Sequence, residues 1–107
     1  MSGTNTSARI KAEAVREVAF GAITNTLAAL GSPIEFTIKE ARFVNTTDAD
    51  LYFSFYNDLN NIRLAAKSAY TLDLQTNNMA LIPGDIIKIA YVTAPTEGDA
   101  WVEVTYT

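Results

Sequence analysis

The sequence predicts an all-β protein, a compact antiparallel β-sandwich or jelly-roll-like barrel of about six to eight short strands. Three observations support this prediction. Apolar and polar residues alternate in several short segments, turn-forming residues separate those segments at nearly even spacing, and no convincing helical pattern falls among them. Because 107 residues with 49% hydrophobic side chains suffice for one core, residues 15–107 are expected to form a single domain.

The N-terminal region is the least regular part of the sequence. Residues 1–14 are mostly small or polar and are predicted to form a flexible N-terminal arm. Between residues 8 and 24, the apolar side chains fit both helical and strand spacing, so helix, strand and disorder all stay open. A strand over residues 17–23 is preferred, because Gly21 and the β-branched residues after it weaken a helix.

The middle of the chain predicts a strand followed by a hairpin. A first strand is expected over residues 35–44 and ends at the turn-forming residues 45–48. In residues 51–56, three apolar side chains alternate with Tyr, Ser and Tyr, as in a strand with one buried face. Residues 57–61 are rich in Asn and Asp, which tolerate left-handed backbone. A hairpin between residues 51–56 and residues 62–66 is therefore predicted.

Three further strands follow. Residues 70–74 alternate, and Pro83-Gly84-Asp85 is a tight-turn signal before residues 86–93. Since residues 86–93 show little polar surface on either face, that strand is expected to be central in its sheet. Residues 101–106 alternate again and form the terminal strand, whose backbone can pair with another chain unless it lies inside a sheet.

Composition argues against several classes of partner. A net charge of -4 and a pI near 4.6 oppose binding to nucleic acid, which depends on clustered Lys and Arg. No segment has the length and apolarity of a membrane span, and the polar N-terminus lacks a signal peptide, so synthesis in the cytoplasm is expected. No cofactor is expected, because the glycines are isolated and phosphate-binding loops need them closely spaced.

The residues available for chemistry argue against an enzyme. The chain has no His and no Cys, which removes the commonest general base and the strongest nucleophile. Lys67 and Ser68 are neighbours on a strand, so their side chains should point to opposite faces. Asp48 and Asp50 could share a face as a carboxylate pair for glycoside hydrolysis, but both lie at a turn signal where Asp bonds to its own backbone.

A metal site is also not expected, although one arrangement of oxygen ligands is open. Two turns supply hard oxygen atoms that would suit Ca²⁺ if the turns converged. The spacing does not match an EF-hand, so the turn interpretation is preferred. The candidate ligands are Asn45, Asp48, Asp50, Asn57 and Asp58.

One stretch resembles a known class of proteins. In residues 41–55, an apolar strand runs into Asn45-Thr46-Thr47-Asp48 and leaves through a hydrophobic strand containing Ser54. This arrangement resembles a pattern in small structural proteins of tailed bacteriophage virions. The resemblance covers residues 16–107 and continues in four further segments: Thr26 to Pro33, Ala69 to Leu74, Ile82 to Asp85 and Trp101 to Tyr106.

The resemblance implies a virion structural protein of β-sandwich fold, as a capsid decoration subunit, a head-to-tail connector or a tail component. It implies protein partners, namely other virion proteins and copies of the chain itself in a homo-oligomer. The predicted contact residues are Tyr52 and Tyr56, which face outward if their neighbours face the core, together with Trp101. The alternative is a carbohydrate- or ligand-binding β-sandwich module that uses the same exposed aromatic residues.

Overall fold

The computed structural model describes residues 10–76 and 79–107 of the chain. No helix among these residues is long and apolar enough to cross a membrane. A short 3-10 turn, Phe20–Ala22, follows the second strand. The strands of the described residues are β1 Lys11–Ala12, β2 Arg16–Ala19, β3 Ala28–Ala29, β4 Glu40–Asn45, β5 Leu51–Ser54, β6 Ile62–Leu64, β7 Ser68–Asp73, β8 Lys88–Tyr91 and β9 Asp99–Tyr106.

The strands form two antiparallel sheets, which confirms the predicted all-β fold and supports its β-sandwich form. The first sheet has the order β1/β2-β9-β4-β7, with β1 and β2 both on β9, and the second has the order β3-β8-β5-β6. The inner faces meet where Phe43 of β4 contacts Phe53 of β5 edge to face, with ring centroids 5.2 Å apart. Both side chains are fully buried, so the core lies between the sheets.

The predicted hairpin and the predicted central strand are confirmed. Strands β5 and β6 pair antiparallel, and the turn between them holds Asn57 and Asp58 in left-handed backbone, with φ of 58° and 54°. Strand β8 lies between β3 and β5, as the apolar pattern of residues 86–93 indicated. The predicted alternation of the last strand is also found. Val102 and Val104 are buried, whereas Trp101, Glu103 and Thr105 are partly exposed on the other face.

Two predicted strands differ from the observed strands by four or more residues at one end. The strand predicted over residues 35–44 starts only at Glu40, because the preceding loop instead bonds to residues near Asp85, as in the 2.8 Å bond from the amide of Ile34. The strand predicted over residues 17–23 ends at Ala19. There the amide of Phe20 donates to Gly98, and the chain turns into the 3-10 segment.

The N-terminal strands run along one edge of the first sheet. Ala12 pairs with Thr105, and Arg16 pairs with Val102, so the three residues 13–15 on the edge oppose two on β9 and form a β-bulge. Of the predicted arm, residues 1–9 lie outside the described part of the chain, and the paired backbone begins within residues 10–14.

The terminal strand lies inside its sheet. Strand β9 pairs with β4 on one side and with β1 and β2 on the other. It therefore offers no free edge to another chain, because the terminal strand could pair with one only if it lay at the edge of its sheet.

Candidate protein-contact surface

One end of the sandwich, which we call the polar end, is closed by a buried hydrogen-bond network. Asn45 at the end of β4 is fully buried, and its Nδ2 donates to the carbonyl oxygens of Ala49, Leu64 and Ala65 at 2.9, 3.1 and 3.1 Å. Its Oδ1 accepts from the amide of Thr47 at 2.9 Å. A single side chain thus joins the loop between β4 and β5 to the loop between β6 and β7, and its role is structural.

Two carboxylates complete the polar end. Asp48 accepts hydrogen bonds from the hydroxyl and the amide of Thr96, which lower the pKa of this carboxyl. Asp50 accepts from the amide of Ala66 at 3.1 Å and from Arg63 at 3.0 Å. Both bonds lower the pKa of Asp50, and the bond from Ala66 has the larger effect. Both groups are held in the ionised form, whereas a general acid needs a raised pKa.

The turns that were considered as an ion site do not converge. Asp48 and Asp50 lie at the polar end, while Asn57 and Asp58 follow β5 at the opposite end of the sandwich. Asp58 instead pairs with Lys88 at 2.6 Å. Within residues 10–76 and 79–107, no three acidic side chains gather as the ligands of a metal ion would.

Lys67 and Ser68 do not face each other. The Nζ atom of Lys67 donates to the carbonyl oxygen of Thr46 at 2.9 Å, whereas the hydroxyl of Ser68 donates to the carbonyl of Ala65. The two side chains therefore bond to different loops and form no nucleophile and base pair.

The opposite end of the sandwich, which we call the apolar end, exposes large hydrophobic side chains. It is formed where β5 turns into β6 and where the chain passes from β7 to β8. Of the ten exposed large hydrophobic residues in the described part of the chain, five lie here, with exposed fractions between 41% and 65%. They are Tyr56, Leu59, Met79, Ile82 and Ile86.

Tyr56 is the centre of the apolar end. It lines a depression of about 370 Å³ together with Phe55, Met79 and the buried Leu74 and Leu81. A second depression shares Tyr56 and reaches Ile86 on its other side. An apolar surface of this kind, beside turns of polar residues, is typical of a contact site for another protein.

The three predicted contact residues lie in different places. Tyr56 is at the apolar end, where it is 65% exposed. Tyr52 lies on the outer face of the second sheet, with the Arg63 guanidinium 6.0 Å from its ring centroid. Trp101 lies on the outer face of the first sheet, where its Nε1 donates to Glu103 at 2.8 Å. Because the two outer faces point in opposite directions, Tyr52 and Trp101 cannot belong to one contact surface.

Most of the apolar end was not predicted. Met79 and Ile82 precede a Pro-Gly turn, and Leu59 lies within a run of Asn and Asp. A signal was present, because apolar residues inside turns belong to no strand face and so have no evident place in the core. Ile86 could not be found this way, since it fell within the strand predicted over residues 86–93.

The fold and this surface define a class: a small antiparallel β-sandwich with one end closed by polar loops and an exposed apolar surface at the other. No family model matches the chain, and comparisons with curated proteins and with solved structures also gave no match.

Proposed function

We propose that this chain is a structural protein of a bacteriophage virion that assembles by protein-protein contact through its apolar end. The observation that supports assembly is the clustering of exposed hydrophobic side chains around Tyr56. Scattered apolar residues are ordinary on a protein surface, but a cluster at one end favours burial against a partner. The virion setting rests on the resemblance of residues 16–107 to tailed-phage structural proteins.

A structural rather than catalytic role fits the acidic residues. The two carboxylates first considered for hydrolysis are bonded to loop atoms at the polar end, where they support the fold. The ligand-binding alternative has less support, because Tyr52 and Tyr56 lie on different surfaces and the Tyr52 ring has Arg63 above it. The proposal therefore assigns no reaction to the chain.

The proposal is tested in particles of the phage whose genome encodes the chain. After purification on a density gradient, mass spectrometry of the particles is expected to find the chain in a fixed ratio to the other virion proteins. Absence of the chain from purified particles, with the chain present in the infected cell, would overturn the virion assignment.

The contact surface is tested in the same particles by photo-crosslinking. A photoreactive phenylalanine that replaces Tyr56 is expected to crosslink the chain to a neighbouring virion protein, since the apolar end is buried on assembly. The same group at Thr93, which is exposed at the polar end, is the matched control and should give little product. Equal crosslinking at both positions would show that the apolar end is not the contact.

A further inference from the structure

Strand β7 forms an open edge of the first sheet. It pairs along all six of its residues with β4 and with no other strand. In an antiparallel strand, alternate residues direct their N–H and C=O groups away from the neighbour. No backbone hydrogen bond from the outer side of β7 is found among residues 10–76 and 79–107. The edge is thus available over about 20 Å.

The other sheet edges carry features that hinder pairing with another chain. The edge made by β1 and β2 is interrupted by the bulge at residues 13–15. Strand β3 has two residues, and β6 has three with the charged Arg63 in the middle. Strand β7 lacks all of these features, because it contains no Pro, no bulge and no charge from Ser68 to Leu72.

We propose that two copies of this chain pair through β7, antiparallel about a twofold axis at Tyr70, and join two five-stranded sheets into one sheet of ten strands. Such an axis is normal to the sheet, so the inner faces of the two copies lie on the same side of the joined sheet. Residues directly opposite each other must then share a face, which restricts the axis to a residue position.

The charges of β7 select Tyr70 among these positions. An axis at Tyr70 places Ala69 opposite Thr71 and Ser68 opposite Leu72 of the second copy, so the uncharged residues 68–72 pair and Asp73 stays outside the pairing. An axis at Thr71 would include Asp73 in the pairing, and charged residues on an edge strand oppose such pairing. An axis at Ala69 would pair only residues 68–70, because the extended strand begins at Ser68 and Lys67 before it has left-handed backbone with φ of 59°.

The side chain of Tyr70 also fits this arrangement. It lies opposite Phe43 in the register and so belongs to the inner face of the sheet, yet it is 45% exposed because β7 is at the edge. In the dimer, the two Tyr70 rings face each other across the axis and cover the open side of the core. Aromatic cross-strand pairs of this kind stabilise antiparallel sheets.

The inference deepens the proposed function, on which it rests, by naming the edge through which copies of the chain meet. It is tested with the single-cysteine variants Ala69→Cys and Thr71→Cys, which are unambiguous because the natural chain has no Cys. Both positions are exposed on the outer face, so the fold is expected to tolerate them. The two variants are co-expressed with different tags and mildly oxidised.

The register predicts which disulfides form. Residue 69 of one copy lies opposite residue 71 of the other, within the reach of a disulfide, whereas two copies of the same variant place their cysteines about 8 Å apart. The mixture is therefore expected to give roughly tenfold more disulfide-linked dimer than either variant alone. Light scattering of the natural chain is expected to give the mass of a dimer.

Several outcomes would overturn the inference. A natural chain that is monomeric at all concentrations would do so, and so would single variants that crosslink with themselves as readily as with each other. Failure of the proposed function looks different, because the disulfide dimer still forms when the chain is absent from virions. Conversely, crosslinking at position 56 within particles, without a 69 to 71 disulfide, overturns only the β7 dimer.

Discussion

Gly98 and Gly84 have nearly the same φ angle in different surroundings. Their φ angles are 90° and 95°, in the region that side-chain-bearing residues rarely adopt. A Cβ atom on Gly98 would lie 2.4 Å from the carbonyl oxygen of Thr46, which belongs to the polar end. A Cβ atom on Gly84 would have no atom within 4 Å. Alanine substitutions at these two glycines therefore distinguish the effect of backbone strain from the effect of the close approach of two loops.

We expect Gly98→Ala to lower the free energy of unfolding by about 3–5 kcal/mol and Gly84→Ala by only about 1–2 kcal/mol. Both variants experience the strain of the left-handed backbone. Only the first also forces the Thr46 backbone to move, and a backbone cannot turn aside as a side chain can. Urea unfolding followed by circular dichroism measures both values. Equal losses would mean that the loop contact at Gly98 contributes nothing.

At the residue scale, the sequence predicts local conformation better than distant partners. The left-handed turn at Asn57 and Asp58 was predicted, because their side chains favour that backbone whatever surrounds them. The role of Asn45 was not, although it was recognised as part of a turn. Its partners at Leu64 and Ala65 are brought to it by the packing of other strands, and no local pattern encodes them.

The N-terminal edge of the first sheet is fastened by a buried ion pair. Arg16 on β2 donates to Glu13 at 2.7 Å, and the two side chains are only 4% and 5% exposed. Arg16 also donates to the carbonyl of Ser32 at 2.9 Å, and Glu13 accepts from the amides of residues 35 and 36. Every charged atom is thus paired, so the interaction joins this edge to the loop before β4.

The ion pair predicts a pH dependence of stability. Burial acts to raise the pKa of Glu13, but the bonds from Arg16 and from two backbone amides outweigh it, so the pKa lies below its ordinary value of 4.5. Glu13→Gln is expected to cost about 3 kcal/mol at pH 7, because it leaves a buried charge without its partner. A lowered folded-state pKa stabilises the protein above the unfolded-state pKa, so this difference should shrink as the pH falls below the ordinary value of 4.5.

Urea unfolding of the natural chain and the variant from pH 7 to below pH 4.5 measures the effect. Glu17→Gln is the control, because Glu17 is exposed on β2 next to Arg16 and its variant should differ little from the natural chain at every pH. A constant difference between the natural chain and Glu13→Gln over the whole range would contradict the role given to the Glu13 carboxylate.

At the element scale, the strands that were predicted correctly are those with a strong local sequence pattern. Strands β5 and β8 were found because their alternation or uniform apolarity is decided by their own residues. Residues 10–24 fit helix and strand equally well, and pairing with β9, at the other end of the chain, decides the outcome. The same applies to β9, whose interior place depends on partners that its own sequence does not specify.

On the scale of the whole molecule, the two ends of the sandwich have different roles. The polar end contains hydrogen bonds that join the two sheets, such as that from Asn45 of β4 to the carbonyl oxygen of Leu64 of β6 at 3.1 Å. The apolar end leaves Tyr56 and Met79 largely exposed. Stability should therefore depend on the polar end, while substitutions of exposed side chains at the apolar end should alter association with little change in folding.

We expect the double variant Tyr56→Ser with Met79→Ser to bind a hydrophobic-interaction column much more weakly than the natural chain. Both residues line the same depression, so the change removes contiguous apolar surface, and the free energy of unfolding should change by less than about 1 kcal/mol. Val15→Ser with Phe20→Ser is the matched control, because these exposed residues lie outside the apolar end. If retention depended on total apolarity alone, both double variants would shift alike. A larger shift for the Tyr56 and Met79 variant would show that the apolar end acts as one continuous surface, which docking onto a partner requires.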